Sequence, residues 1–244
     1  MYEFKIMIAE VPVRVKCLYP ETREFLRAYL TEEEEAFCVE PEKEDFRKVH
    51  ADLVRSAEKE GTRIPPYDER ILERYAVHAL LAEQLVHHGV LLMHGSALCM
   101  DEQAYLFTAP SGTGKSTHAR LWREAFGDRV WMINDDKPML RVEEGGVTVW
   151  GTPWDGKHHL SRNASAPLKA IVQIVRDKEN RIFPMTKAEA FPLLMQQSYA
   201  STDPAAQLMI LELEKRILNT IPFYVLHCNM DPEAAQVALE GMKE

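Results

Sequence analysis

The sequence predicts an α/β protein in which a mixed sheet is flanked by helices and preceded by a small α+β section. From residue 67 onward, short β-rich runs alternate with helical segments, which is the pattern of a layered fold. The 244 residues are 46% hydrophobic and 27% charged, a composition that allows a folded core. A glycine-rich turn at residues 109–114 lies between an apolar run and a helical segment, where α/β folds bind ligands.

The predicted strands of the larger section are short, and several are apolar on both alternating faces, as buried strands are. They lie at residues 91–93, 104–108, 130–133, 147–150, 170–175 and 223–226. Helices are predicted at residues 115–126, 187–197, 204–218 and 232–242. Thr186 begins a capping box, and Asp203-Pro204 and Asp231-Pro232 each place an N-cap before a proline at the first helical position.

The first section mixes strand-like pieces at residues 3–8, 11–16 and 36–39 with an amphipathic helix at residues 42–60. Gly61 and Ile64-Pro65-Pro66 interrupt the helical pattern, so we expect a boundary there. It divides an N-terminal α+β section, residues 1–66, from a larger domain, residues 67–244. A helix at residues 68–88 has a broad apolar face suited to covering a sheet.

Charge and composition exclude several classes of protein. The formal net charge is −9, the opposite of what a nucleic-acid binder needs to neutralise phosphates. The apolar stretches are shorter than the ~20 residues that cross a bilayer, and the start lacks the basic and apolar regions of a signal peptide. We therefore expect a cytoplasmic protein with no membrane or nucleic-acid partner. The four cysteines have no metal-binding spacing and are interpreted as reduced thiols: Cys17, Cys38, Cys99 and Cys228.

The glycine-rich turn fits the phosphate-loop pattern, with Ala109 in place of the first glycine. The glycines let successive N–H groups face one oxyanion, and the following helix adds its positive N-terminus. Lys115 can reach the β- and γ-phosphates, and the Ser116 hydroxyl can bind Mg²⁺. A dinucleotide-binding turn would need its third glycine at Thr117 and is excluded. The predicted ATP-binding residues are Ser111, Gly112, Thr113, Gly114, Lys115, Ser116 and Thr117.

The apolar run at residues 130–133 ends in Asn134-Asp135-Asp136. If this strand neighbours the one before the phosphate loop, with both parallel, the carboxylates lie beside the loop. One aspartate can then hold Mg²⁺, and the other can accept the proton of an attacking hydroxyl or water. A polar turn before Lys137-Pro138 is the alternative interpretation. His94, at the end of another apolar run, is a candidate for binding metal or the γ-phosphate, or a structural histidine.

Taken in order, His94-Gly95-Ser96-Ala97, residues 109–117 and Asp135-Asp136 resemble the active-site segments of the HPr kinase/phosphorylase catalytic domain. More distantly, they resemble ATP-dependent phosphoenolpyruvate carboxykinase. The resemblance implies that His94, Ser116, Asp135 and Asp136 surround the metal and the γ-phosphate. This chain has Thr117 where HPr kinase has an acidic residue, so the resemblance does not identify the phosphate acceptor.

Two functions fit the sequence. The first is a phosphotransferase that uses Mg²⁺ and ATP and passes the γ-phosphate to a hydroxyl of a small molecule, peptide or protein. The second is a nucleotide-gated binding or assembly factor with slow hydrolysis at most. Both predict ATP binding, and either is compatible with a homo-oligomer.

The acceptor is expected to bind at a loop over residues 150–162, which two glycines and a proline mark as irregular. Trp150 and Trp154 either form part of the acceptor wall or fix the loop to the core. Adjacent His158-His159 diverge in direction, so we do not expect a zinc site. Better candidates are Asp155, to complete the metal shell or orient the acceptor, and Lys157 and Arg162, to meet developing phosphate charge.

Overall fold

The computed structural model describes residues 1–243, apart from the side chain of Glu60. The chain divides into two compact units, Met1–His88 and Gly89–Glu244. The first unit contains a sheet with strand order β1-β2-β3, in which β1 and β2 form an antiparallel hairpin and β3 joins β2 in parallel. Its elements are β1 (Tyr2–Ile8), β2 (Val11–Cys17), α1 (Pro20–Phe25), β3 (Phe37–Val39), α2 (Lys43–Glu60) and α3 (Glu69–Leu85).

Helix α3 belongs to the first unit, so the observed division follows His88, whereas the sequence places the boundary before this helix, at residue 66. Helix α3 contacts α1, α2, β2 and β3. Its Glu73 side chain is fully buried and accepts hydrogen bonds from the N–H groups of Leu18, at 2.6 Å, and Tyr19, at 3.2 Å. The Glu73 carboxylate therefore binds the two backbone N–H groups that directly precede α1.

The second unit is a mixed α/β fold whose sheet is flanked by helices. The sheet has the order β4-β8-β9-β10-β6-β5-β7. Strand β12 pairs in parallel with β10 and antiparallel with β11. The elements are β4 (Val90–Leu92), β5 (Ser96–Met100), β6 (Gln103–Thr108), α4 (Lys115–Phe126), β7 (Val130–Asn134), β8 (Met139–Glu143), β9 (Gly146–Trp150), β10 (Ser165–Arg176), β11 (Arg181–Pro184), α5 (Lys187–Gln197), α6 (Pro204–Thr220), β12 (Phe223–Cys228) and α7 (Glu233–Gly241).

Several predicted elements of this unit are confirmed. Helices α4 and α5 have the predicted bounds, and the Thr186 capping box is present. Asp203 caps α6 by accepting a hydrogen bond from the N–H of Ala206. The prediction for α7 was wrong by one residue, since its N-cap is Pro232 and not Asp231. Strands β5, β8 and β11 were not predicted. Within residues 1–243, no helix has both the length and the hydropathy of a membrane span.

Helix α4 is anchored to the sheet by Trp122, whose side chain is fully buried. The Trp122 ring centroid lies 5.0 Å from that of Tyr105 and 5.4 Å from that of Phe107, both on β6. Burying a side chain of this size stabilises the packing by about 2–3 kcal/mol or more. The contact fixes α4 against the strand that precedes it, and this determines where the loop between them begins and ends.

Candidate functional site

Five strand ends meet at one edge of the sheet in the second unit. Strand β10 runs parallel to β6 and to β12, and β5 runs antiparallel to both β6 and β7. The carboxyl ends of β6, β7, β10 and β12 therefore share an edge with the start of β5. Neighbouring strands are about 4.8 Å apart, and β5 lies between β6 and β7, so the loop after β6 and the turn after β7 follow strands about 10 Å apart.

Residues 109–114 form the loop between β6 and α4 at the centre of this edge. Gly112 has φ +74° and Gly114 has φ +126°, backbone conformations that L-residues rarely adopt. A Cβ atom added at either glycine would meet nothing within 4 Å, so conformation and not space requires glycine here. No side chain caps α4, which begins with its N-terminus at the end of this loop. The positive end of the helix therefore adjoins the loop, as an anion site requires.

Lys115 is the first residue of α4, and its side chain is buried against the loop. Its Nζ donates hydrogen bonds to the carbonyl oxygens of Ala109, at 2.9 Å, and Pro110, at 3.4 Å. The ammonium group thus lies inside the curve of the loop. Ser116, the next residue, is exposed at the helix start, which leaves its hydroxyl available to a metal ion bound to phosphate.

Asp135 follows β7, and the structure places it beside the start of β5. Its side chain is buried, and its Oδ1 accepts a hydrogen bond from Ser96 Oγ at 2.6 Å. The preceding Asn134 shapes the turn, because its Oδ1 accepts hydrogen bonds from the N–H groups of Asp136, at 2.8 Å, and Lys137, at 2.6 Å. The segment is therefore a polar turn, and that turn holds one carboxylate at the same sheet edge as the glycine-rich loop.

Asp136 faces His94, whose Nε2 lies 3.4 Å from the Asp136 Oδ1. Burial lowers the pKa of His94 to about 3, and the charges of Lys137 and Lys115 act in the same direction. The imidazole is consequently neutral at pH 7, so this contact is not an ion pair. Burial raises the pKa of the Asp136 carboxyl above its ordinary value, and the same two lysines oppose that shift.

Gln197, the last residue of α5, is part of this site, although no sequence pattern indicates it. Its backbone carbonyl accepts a hydrogen bond from the His94 N–H at 2.7 Å. Its side chain hydrogen-bonds the His94 ring, and its Oε1 lies 3.3 Å from Thr108 Oγ1. These contacts fix the histidine relative to the end of β6. No local pattern identifies a glutamine 89 residues away from its partner on β6.

The loop at residues 151–162 lies against the end of β7. Asn134 Nδ2 donates to the Thr152 carbonyl at 3.0 Å and the Trp154 carbonyl at 3.2 Å. A Cβ atom on Gly156 would lie 3.0 Å from the Asp135 Oδ2, so the loop backbone covers that carboxylate closely. Trp154 is buried, which indicates that this tryptophan fixes the loop to the core.

The structure does not bring all of the predicted loop residues to the carboxylates. The Arg162 guanidinium lies over the ring of Trp131, the second residue of β7, 5.4 Å from its centroid. Lys157 and His158 are exposed. Asp155 Oδ1 lies 3.0 Å from the His159 Nδ1, and the Asp155 charge acts on Asp136. Among Asp155, Lys157 and Arg162, Asp155 is therefore the residue whose charge acts on Asp136.

The donor set fits a magnesium ion that is bound together with a nucleotide. Within residues 1–243, no group of three or more His, Cys, Asp and Glu side chains is arranged to hold a metal ion. Mg²⁺ in nucleotide sites takes one or two carboxylates and completes its shell with phosphate and water oxygens. The predicted ligands Ser116, Asp135, Asp136 and Asp155 can supply the hydroxyl and carboxylate oxygens for such a shell.

No protein-family model and no curated protein matches the chain. Among solved structures, the chain is similar to the Hpr(Ser) kinase/phosphatase from Coxiella burnetii, with 10% sequence identity and a TM-score of 0.35. The match covers 62% of this chain and 95% of that chain. At these values the similarity does not define the function of this chain.

Proposed function

We propose that the second unit is a phosphotransferase that uses Mg²⁺ and ATP and transfers the γ-phosphate to an acceptor hydroxyl. The observation that carries the proposal is the position of Asp135. Ser96 holds this carboxylate by a 2.6 Å hydrogen bond at the sheet edge where residues 109–117 form an uncapped, glycine-rich turn into α4. Anion binding and carboxylate chemistry are then adjacent, which is the arrangement phosphoryl transfer needs.

The loop and α4 hold the triphosphate in this proposal. The N–H groups at the start of α4 and the Lys115 ammonium bind the β- and γ-phosphates, and both act in a partly desolvated site. Ser116 with Asp135 or Asp136 would hold Mg²⁺, which neutralises phosphate charge when it is bound.

The transfer step forms a bond between the acceptor oxygen and the γ-phosphorus while the bond from that phosphorus to the β–γ bridging oxygen breaks. The acceptor proton passes to a carboxylate, and ADP leaves with the bridging oxygen. Geometry divides the two aspartates: Asp135 is buried and fixed by Ser96, which suits a metal ligand, whereas the Asp136 side chain is 38% exposed, which suits a base that meets an acceptor.

The test is transfer of label from γ-labelled ATP in the presence of Mg²⁺ and pools of small hydroxyl compounds, peptides and proteins. The proposal predicts label on an acceptor other than water with the parent chain and none with Lys115→Met. Label that appears only in inorganic phosphate would favour the nucleotide-gated factor. A parent chain that neither binds ATP nor releases label would contradict both functions.

A further inference from the structure

Arg176 connects β10 to the glycine-rich loop. Strand β10 runs parallel to β6, and their pairing ends at Gln173 opposite Thr108. Arg176, three residues beyond that pair, is the last residue of its strand and lies beside the loop that follows β6. Its Nε donates a hydrogen bond to the Thr113 carbonyl at 2.8 Å, and its Nη2 donates to the Gly112 carbonyl. One guanidinium therefore binds two successive carbonyls of the loop.

These two bonds determine where the loop directs its N–H groups. In a planar trans peptide, the carbonyl and the N–H that follows it point in opposite directions. Holding the Thr113 carbonyl toward Arg176 consequently directs the Gly114 N–H to the opposite side. The Thr113 N–H is itself bound to the Pro110 carbonyl at 3.2 Å, which closes the first turn of the loop. The left-handed backbone at Gly112 and Gly114 makes this course possible.

We propose that Arg176 is a positioning residue that holds the phosphate loop in its anion-binding shape before a nucleotide arrives. The inference rests on the proposed function for its consequence, since a loop ordered in advance binds phosphate more tightly. The planar guanidinium of arginine donates to two acceptors at once, which the single ammonium of lysine cannot reproduce. A role through charge alone would be served equally well by lysine.

The experiment compares the full-length parent with Arg176→Ala and Arg176→Lys. Arg181→Ala is the matched control, because Arg181 lies on β11, the next strand along the chain, and pairs with Asp177 and Glu179. Hydrogen exchange of the peptide over residues 109–117 reports the order of the loop without any nucleotide. Titration with Mg-ATP reports affinity, and the unfolding midpoint reports whether the fold is intact.

We expect both Arg176 variants to exchange loop amides faster than the parent and to bind ATP about tenfold more weakly, the loss that corresponds to one charge-assisted hydrogen bond. The unfolding midpoint and the Arg181→Ala control should stay at parent values. Added guanidinium ion should restore part of the affinity of Arg176→Ala but not of Arg176→Lys, whose side chain fills the space.

Two results would overturn the inference: unchanged loop exchange in Arg176→Ala, or parent behaviour in Arg176→Lys. If the parent itself does not bind ATP, the proposed function fails, and the exchange measurement still decides whether Arg176 orders the loop. If the parent binds ATP and both Arg176 variants match it in every measurement, the positioning role fails alone.

Discussion

Ser96 Oγ donates a 2.6 Å hydrogen bond to Asp135 Oδ1, and both side chains are buried. The bond joins the start of β5 to the turn after β7, across strands that run antiparallel. It leaves Asp135 with a fixed orientation beside the glycine-rich loop. A carboxylate held in this way reaches a metal ion without first losing side-chain freedom.

Ser96→Ala should therefore raise the Mg²⁺ concentration that gives half-maximal phosphoryl transfer. A hydrogen bond to a charged group contributes about 1.5–3 kcal/mol, so an increase of tenfold or more is expected. The measurement is the Mg²⁺ dependence of transfer at saturating ATP. In an Asp135→Asn background the same change should have little further effect, and an effect of full size there would show that Ser96 acts independently of Asp135.

Substitution of Asp135 and substitution of Asp136 should affect the reaction in different ways. Asp135→Asn is expected to weaken Mg²⁺ binding and so raise the Mg²⁺ concentration that activity requires, because it removes the fixed carboxylate. Asp136→Asn is expected to lower kcat by about 10²–10⁴-fold, the contribution of a general base, with nucleotide affinity largely kept. Asp128→Asn, an exposed aspartate in the turn after α4, is the control. Equal and negligible effects of the two site variants would mean that Asn134-Asp135-Asp136 is only a structural turn.

The loop at residues 150–162 should matter for the acceptor and not for the nucleotide. Lys157→Ala is expected to lower phosphoryl transfer, since it removes an exposed cation that can meet developing phosphate charge. Arg162→Ala should transfer phosphate like the parent, because its guanidinium lies over the Trp131 ring. The affinity for ADP, measured by titration, should stay within about twofold of the parent value, because this loop lies against the end of β7. His158→Ala tests the same exposed loop without removing a fixed charge. Normal transfer by Lys157→Ala would place the acceptor elsewhere.

His118 should make the second unit less stable in acid. Burial lowers its pKa from 6.5 to about 3, so between these pH values the unfolded chain binds a proton that the folded chain does not. Stability is therefore lost as the pH falls from 6.5 toward 3, by up to about 1.4 kcal/mol per pH unit. His118→Gln keeps an acceptor for the Trp122 Nε1, which lies 3.0 Å from the His118 Nε2, and removes the titration.

The measurement for His118 is the free energy of unfolding by tryptophan fluorescence from pH 7 to pH 4. All four tryptophans lie in the second unit, so the signal reports that unit. The parent should lose stability more steeply than His118→Gln over this range. His158→Gln, at an exposed position, should follow the parent. Parallel curves for the parent and His118→Gln would contradict the assignment.

Local patterns in the sequence predicted α4, α5 and the turn between β6 and α4, because caps, glycines and helical periodicity are contained within a few residues. The missed strands carried weaker local signals. Strand β5 is buried at every position and therefore shows no alternation. Strand β8 follows the Lys137-Pro138 turn, and β11 is a four-residue strand that is mostly exposed and defined by its pairing with β12.

The predicted site was incomplete for a related reason. Asp135 and the glycine-rich loop could be placed at one sheet edge because β6 and β7 run parallel, but the prediction that these strands are neighbours was wrong, since the unpredicted β5 lies between them. Gln197 and Arg176 could not, since their partners on or after β6 lie 89 and 64 residues away in the chain. Arg162 was expected near the phosphate, but the attraction between its guanidinium and the Trp131 ring holds it along β7, and the sequence gives no sign of that pairing.

A calorimetric titration of the parent chain and Lys115→Met with Mg-ATP tests directly whether residues 109–117 bind phosphate. The parent should bind one nucleotide saturably, and Lys115→Met should bind at least about tenfold more weakly, because the ammonium that compensates the phosphates is gone. Arg120→Met removes a cation from the exposed face of the same helix, where it pairs with Glu124 at 2.6 Å, and should bind like the parent. Equal affinity of the parent and Lys115→Met, or no saturable binding by the parent, would contradict the assignment of residues 109–117 as a phosphate loop.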